Sequence, residues 1–291
     1  MAKKKKKTSI VSLWIAFVIA IVSYVSGQSW MEREEKPSTE KVSKQEKQKQ
    51  KTEQKDEADQ PVTDIPLLEI PVMDAKKQGQ VLYRTGYTLA YDQKNRTPQW
   101  VAWELTKKET NGKEERTNKF QPDPDAKGPK VVTGDYSHSG YDRGHMAPAA
   151  DMKWSKKAME ESFYMTNICP QNHNLNTSDW SELENKSRQW ARRFDKVHIV
   201  CGPIYTGKRK EYIGDNRVRV PDAFFKVILI NHAKKQVALA FLFDNESGER
   251  PLTEYLTTVD KVEKLTGMDF FSALPDELEN RLEAEIVKEL P

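Results

Sequence analysis

From Thr8 to Met31 the chain carries no charged side chain, and its centre, residues 10–22, is almost entirely apolar. This feature constrains the chain most, because an uncharged stretch of this length, at ~1.5 Å per residue, spans the ~30 Å hydrocarbon layer as a helix. Lysines occupy positions 3–7. The positive-inside tendency keeps them cytoplasmic and sends everything after Trp30 across the membrane. Residues 1–30 are therefore expected to form a basic cytoplasmic tip and a transmembrane signal-anchor, preceding a membrane-anchored, extracytoplasmic body, periplasmic or at the cell surface. Cleavage near Val25-Ser26-Gly27 would make the body secreted, and a buried core helix is the third reading. No cysteine follows the segment, which excludes lipid attachment there.

Residues 31–64 read as a polar, charged linker. Within 31–60 there are eight Lys/Arg, nine Asp/Glu and almost no large apolar side chains. Such a stretch cannot bury enough surface to offset chain entropy. Pro61, Pro66 and Pro71 punctuate the entry to residues 65–291, which are long enough for one core. The remaining 34 basic and 35 acidic residues lie in 61–291, so the net charge of +3 originates in the amino-terminal lysines. A nearly neutral body excludes a protein that coats nucleic acid through overall charge and leaves room only for a local basic groove. Two cysteines, Cys169 and Cys201, exclude a disulfide-rich scaffold and a CxxC zinc knuckle.

Patterning predicts strands over residues 81–91 and 99–105, joined by a DQKNRTP turn, and over 196–205, 223–230 and 236–243, the last two as a hairpin around NHAKK. Trp180, Leu183, Trp190 and Phe194 fall at helical offsets within 178–194. Helices are also expected over 252–265, ending before Gly267, and over 275–290. Grouped rather than alternating elements favour α+β with an antiparallel sheet.

The densest chemistry lies in Asp142-Arg143-Gly144-His145. Arg143 offers a planar donor fork suited to phosphate, His145 exchanges a proton near neutral pH, and Gly144 permits close backbone approach. A turn with a surface ion pair fits the same four residues. Downstream, on a helix at ~100° per residue, Asn176, Trp180 and Leu183 share a side and Glu184 sits about 80° around. An amide oxygen and a carboxylate could then approach one metal; Asn176 with Asp179 also reads as a helix cap.

Taken in order, Asp142-Arg143-Gly144-His145 with Ala147-Pro148, residues 163–171, Leu175-Asn176 with Trp180 and Leu183-Glu184, and Gly202-Pro203-Ile204-Tyr205 closely resemble the DNA/RNA non-specific endonucleases. That family includes secreted bacterial nucleases and mitochondrial endonuclease G. The resemblance covers residues 80–245, and the ordered set is specific where each motif alone is weak. It implies a ββα-metal (His-Me finger) nuclease in an α+β fold, with a central, mainly antiparallel sheet flanked by helices.

By resemblance, His145 is the general base, Asn176 the one direct protein ligand of a divalent metal, and Glu184 a partner that holds metal-bound water. Arg143 and Asn167 match positions that support the phosphate and the site geometry, and Arg116, ahead of Phe120 and Asp123-Pro124, matches a further phosphate-clamping arginine. DNA and/or RNA is the implied substrate, and a homodimer the implied assembly. Asp151 stands where several relatives have Asn and reads as a cap of the helix that begins near Ser155. Cys169 and Cys201 fall in two matched motifs, and an oxidising compartment would permit a bridge between them.

An oxygen-rich shell with one amide fits Mg²⁺, or Mn²⁺, better than zinc. With an unperturbed imidazole pKa of about 6.5, activity is expected to fall on acidification through that region. Arg188, Arg192, Arg193 and residues 208–210 are candidate backbone contacts, with solvated surface charge as the bland alternative. His138, His173, His198 and His232 read as non-catalytic, and Trp100, Trp103 and Trp190 as packing. Two other functions fit the residues less well: a surface nucleic-acid receptor without turnover, and a phosphodiesterase acting on a non-nucleic substrate.

Overall fold

In the computed structural model the described residues are 64–291. The strands, in chain order, are β1 (Val72–Met73), β2 (Gln80–Tyr83), β3 (Thr88–Asp92), β4 (Thr97–Thr106), β5 (Asp142–His145), β6 (Ile168–Gln171), β7 (Lys196–Ile204), β8 (Tyr212–Ile213), β9 (Val218–Arg219), β10 (Ala223–His232), β11 (Lys235–Asp244), β12 (Leu256–Thr257) and β13 (Met268–Asp269). The α-helices are α1 (Lys156–Ser162), α2 (His173–Thr177), α3 (Asp179–Arg193), α4 (Val259–Thr266) and α5 (Asp276–Ala284). Seven strands form one antiparallel sheet in the order β12-β11-β10-β7-β4-β3-β2. The α+β class with a central antiparallel sheet agrees with the sequence reading. The transmembrane helix expected over residues 8–31 lies outside the described residues.

Both faces of this sheet are buried, which explains why its central strands are apolar almost throughout. In β10, Phe224, Ile228 and Ile230 join the core beneath α3, while Phe225, Val227 and Leu229 join the core beneath α4 and α5. In β4, Val101 and Trp103 turn to the first face, Trp100 and Ala102 to the second. Side chains alternate along a strand, so one such strand serves two cores. Each fully buried large apolar side chain contributes about 1.5–3 kcal/mol. Trp100, Trp103 and Trp190 are all buried, as packing residues should be.

Several boundaries differ from the pattern-based reading. The strand expected over 81–91 is a hairpin, because Arg84 N–H donates to the Tyr87 carbonyl at 2.8 Å and turns the chain. The helix expected over 252–265 starts late. Leu256 and Thr257 pair with β11 instead, and the Thr258 hydroxyl caps α4 by accepting from Lys261 N–H at 3.1 Å. Gly267, at φ +71°, ends that helix in the left-handed conformation that favours glycine. The last helix stops at Ala284, and the tail packs Val287 and Leu290 against the core beneath α3. Its terminal carbonyl, on Pro291, accepts from Trp190 Nε1 at 2.9 Å.

Cys169 and Cys201, for which a bridge was one possibility, are buried free thiols. Cys201 Sγ donates to the Met146 carbonyl at 3.3 Å, and burial pushes its thiol up to about 12. That environment keeps the sulfur inert.

Candidate active site

Beside the large sheet, β5 and β6 make a two-stranded antiparallel ribbon, and α2 and α3 follow it directly. Asp142 lies opposite Gln171, and His145 opposite Ile168. The ribbon closes tightly at Gly144, where an added Cβ would stand 2.6 Å from the Gln171 Cβ. Gly144 is therefore required for close approach, the role its position suggested. The carbonyl of His145 accepts from Trp180 Nε1 at 3.3 Å, which ties α3 to the strand that carries the imidazole.

His145 is buried at 8% exposure, and its Nε2 has no hydrogen-bond partner among the described residues. Its ring packs against both Phe120 (centroids 5.3 Å apart) and Phe163 (4.9 Å), which also touch each other at 5.0 Å. Each phenylalanine carries an arginine: the Arg143 guanidinium lies 4.5 Å from the Phe120 centroid, and that of Arg116 lies 5.0 Å from the Phe163 centroid. Burial, reinforced by Arg116 and Arg143, lowers the imidazole pKa to about 3. The expected titration near the ordinary value is corrected accordingly: this imidazole is neutral throughout the physiological range.

Phe120 reaches the site because Gln121 pairs with the segment after α1. Gln121 N–H donates to the Phe163 carbonyl at 3.1 Å, and Met165 N–H to the Gln121 carbonyl at 2.9 Å. Asp123 fixes the same loop, bridging Arg84 at 2.5 Å and accepting from the Thr166 hydroxyl at 2.6 Å. The aromatic walls and this anchor were not read as functional from sequence, although the Phe120 and Asp123-Pro124 spacing was visible.

Asn176 does not share a continuous helix with Glu184. The chain breaks at Ser178 between α2 and α3, so an angular offset counted around one helix does not apply. Nor does Asn176 cap anything; Asn172 caps α2, its side chain accepting from Asn174 N–H and Leu175 N–H. Asn176 instead donates its Nδ2 to Asp142 Oδ2 at 2.8 Å, and His173 Nδ1 meets the same oxygen at 2.9 Å. Its Oδ1 makes no hydrogen bond among the described residues. Asp142 thus orients the amide from the strand that ends in His145, while alternation along β5 sends Asp142 and His145 to different sides. No direct contact joins His145 to Asn176; the strand does.

Glu184, on α3, is partly buried. Burial and the neighbouring Asp151 carboxylate push it up to about 7, against Lys226, Arg188 and Arg116. Arg116 acts on both Glu184 and His145 and so lies near each. Asp151 is not a helix cap, since Ser155 caps α1. It accepts from Trp103 Nε1 at 3.1 Å and pairs with Arg188 at 2.7 Å, which withdraws Arg188 from the candidate backbone contacts. Arg209 is likewise engaged, by the Tyr141 hydroxyl at 2.8 Å.

Lys226 completes this group. It is 1% exposed, and its ammonium lies 3.9 Å from the Trp180 ring centroid. The lone lysine inside AFFKVILI was the available signal for it.

Asn167 is fully buried and fully used. Its Nδ2 donates to the carbonyls of Ala147 and Ser162, both at 2.9 Å, and its Oδ1 accepts from Ala147 N–H at 2.9 Å. It shapes the backbone just after His145 and has no donor left for a phosphate.

The profile of the DNA/RNA non-specific endonucleases matches residues 67–277. The chain belongs to the DNA/RNA non-specific endonuclease family. The mitochondrial nuclease EXOG of Xenopus laevis is 38% identical over 206 residues, covering 65% of this chain and 57% of the relative. Human mitochondrial endonuclease G is 32% identical over 205 residues, covering 66% and 69% respectively. A crystal structure of the EndoG/EndoGI complex aligns with a TM-score of 0.64 at 30% identity, covering 69% of this chain and 89% of that one. The chain spans little more than half the length of the EXOG relative.

These non-specific endonucleases also overturn one expectation. The relatives are named as mitochondrial nucleases, against a membrane-anchored, extracytoplasmic placement. Among the described residues, no helix is long and apolar enough to cross a membrane.

Proposed function

We propose that the protein is a metal-dependent endonuclease that hydrolyses the phosphodiester bonds of DNA, RNA or both without reading sequence, with His145 as general base and Asn176 as the direct metal ligand. The observation that carries this reading is His145 Nε2, a buried ring nitrogen without a partner among the described residues, on an imidazole that feels two nearby arginines. Buried polar atoms are almost always hydrogen-bonded, so an orphan at this position points to a group supplied by the substrate complex.

The residues fit a hard divalent cation, Mg²⁺ or Mn²⁺. Asp142 fixes the Asn176 amide through its nitrogen, which leaves the carbonyl oxygen as the ligand atom, and Glu184 would assist through an intervening water. When bound, the cation supplies positive charge where the phosphate and the departing oxygen become more negative.

The chain's own groups do the rest. Neutral His145 accepts the proton of the attacking water on its imidazole, a role worth typically ~10²–10⁴ in rate. Arg143 and Arg116, exposed and stacked on Phe120 and Phe163, grip the non-bridging phosphate oxygens. The ring contacts restrain both guanidinium groups, and Arg116 Nε also donates to Asn118 Oδ1 at 2.6 Å. Contacts of this kind read the backbone and not base edges, which accounts for weak sequence selectivity.

Purified full-length protein incubated with plasmid, single-stranded DNA and RNA, in Mg²⁺ or in chelator, tests the reading. Cleavage in Mg²⁺ that chelator abolishes is expected. Binding without cleavage would select the receptor alternative, and neither binding nor cleavage the non-nucleic phosphodiesterase.

A further inference from the structure

On the sheet face opposite α3, five carboxylates converge where α4, β13 and α5 meet. Oxygens of Asp260, Glu263 and Glu283 lie within 4.8 Å of one another, and so do oxygens of Asp269, Glu279 and Glu283. Helical spacing explains the first pairings: positions three or four apart on one helix share a face, as in Asp260 with Glu263 and Glu279 with Glu283. Glu283 belongs to both groups and is the deepest member, at 8% exposure. Its Oε1 is buried with no hydrogen-bond partner among the described residues, as is Glu279 Oε1. No lysine, arginine or histidine forms an ion pair with any of the five among the described residues. Glu263 alone has a backbone donor, Phe270 N–H at 2.8 Å.

We propose that these carboxylates bind a calcium ion, with Glu283 as the shared central ligand. Carboxylates this close repel one another and are costly to bury without positive charge. The separation is compatible with the ion: oxygens that each lie about 2.4 Å from one Ca²⁺ are at most about 4.8 Å apart, and both groups fall within that limit. An all-carboxylate set drawn from three elements is the flexible, oxygen-only shell that Ca²⁺ accepts, whereas Mg²⁺ demands tighter octahedral geometry and keeps its water. Glu279 and Glu283 lie beyond residue 277, where the family match ends, while Asp260, Glu263 and Asp269 lie within it. The bound ion clamps α5 to α4 on the face away from His145, and its role is structural.

Thermal unfolding of the full chain in millimolar Ca²⁺, in Mg²⁺ and in chelator reads the site directly. Calcium is expected to raise the Tm by about 2–4 °C, as a ligand that binds only the folded state does. The gain should persist in Asn176→Ala, which removes the proposed catalytic ligand, and vanish in Glu283→Gln. Should Glu283→Gln fail to fold, the exposed pair Asp260→Asn with Asp269→Asn gives the same readout. An unchanged wild-type Tm in calcium, or a gain that both sets of variants retain, would overturn the proposal. So would stabilisation by mild acid with no calcium effect, which would assign the cluster to shared protons.

Discussion

His145 sits where positive charge is disfavoured: two phenylalanines exclude water from its ring, and Arg116 and Arg143 both repel a proton. With a folded pKa of about 3, below the value of about 6.5 in an unfolded chain, the unfolded state takes up a proton first as pH falls. The resulting stability change has one sign, a loss that begins near pH 6.5 and deepens toward pH 3. For the proposed mechanism the consequence is a base already deprotonated at any mildly acidic pH. The His145 ring resonances of the metal-free protein, followed by NMR, should stay in place between pH 8 and pH 5. A titration centred near 6.5 would show that the pocket does not depress this imidazole.

Glu184 is the group that changes charge near neutrality, because burial and Asp151 push it up to about 7. From sequence alone His145 was identifiable as the candidate base, but its pKa was not. That value depends on Phe120, Phe163 and Arg116, which approach the ring only after folding.

At the scale of elements, the ribbon β5–β6 and the break between α2 and α3 decide where the metal-ligand candidate points. Asp142 is the joint, accepting from both Asn176 and His173. Partners that orient a ligand typically account for 10–100-fold in metal affinity. Asp142→Ala should therefore raise the Mg²⁺ concentration needed for half-maximal cleavage by about 10–100-fold, while the rate at saturating Mg²⁺ falls much less. Measuring cleavage against Mg²⁺ concentration checks this, and an unchanged midpoint would mean that Asp142 does not position the ligand.

The motif residues were legible as a set, and α3 was legible from Trp180, Leu183 and Trp190. The break at Ser178 was not, since nothing in the local pattern separates two helices there. For the same reason the Asn176-to-Glu184 offset and the capping role of Asn176 were misread. Asp151 was misread as a cap because its true partners, Trp103 and Arg188, are distant in the chain. The hairpin of β10 and β11 was readable because alternation and a polar turn act locally. By contrast, β12 forms only because β11 is already present to pair with it.

For the whole molecule, the sheet separates two undertakings. Its α3 face holds the imidazole, the arginines and the buried Lys226–Glu184–Asp151–Arg188 charge group, while its other face is a packed apolar layer under α4 and α5. Near-neutral overall charge agrees with the proposed function, in which recognition of nucleic acid would fall to a few local cations such as Arg116 and Arg143 and not to a charged surface at large. The uncharged amino-terminal stretch led to a misplaced location because length and polarity describe what a segment can do in a bilayer, not where the chain resides. The named relatives decided against that placement.

The most direct measurement is the Mg²⁺-dependent relaxation of supercoiled plasmid by wild type and His145→Ala, with far-UV circular dichroism and Tm taken on the same samples. The variant should keep its fold and lose at least about 10²-fold in cleavage rate. A folded His145→Ala protein that cut at the wild-type rate would contradict the assignment of the general base, and the mechanism with it.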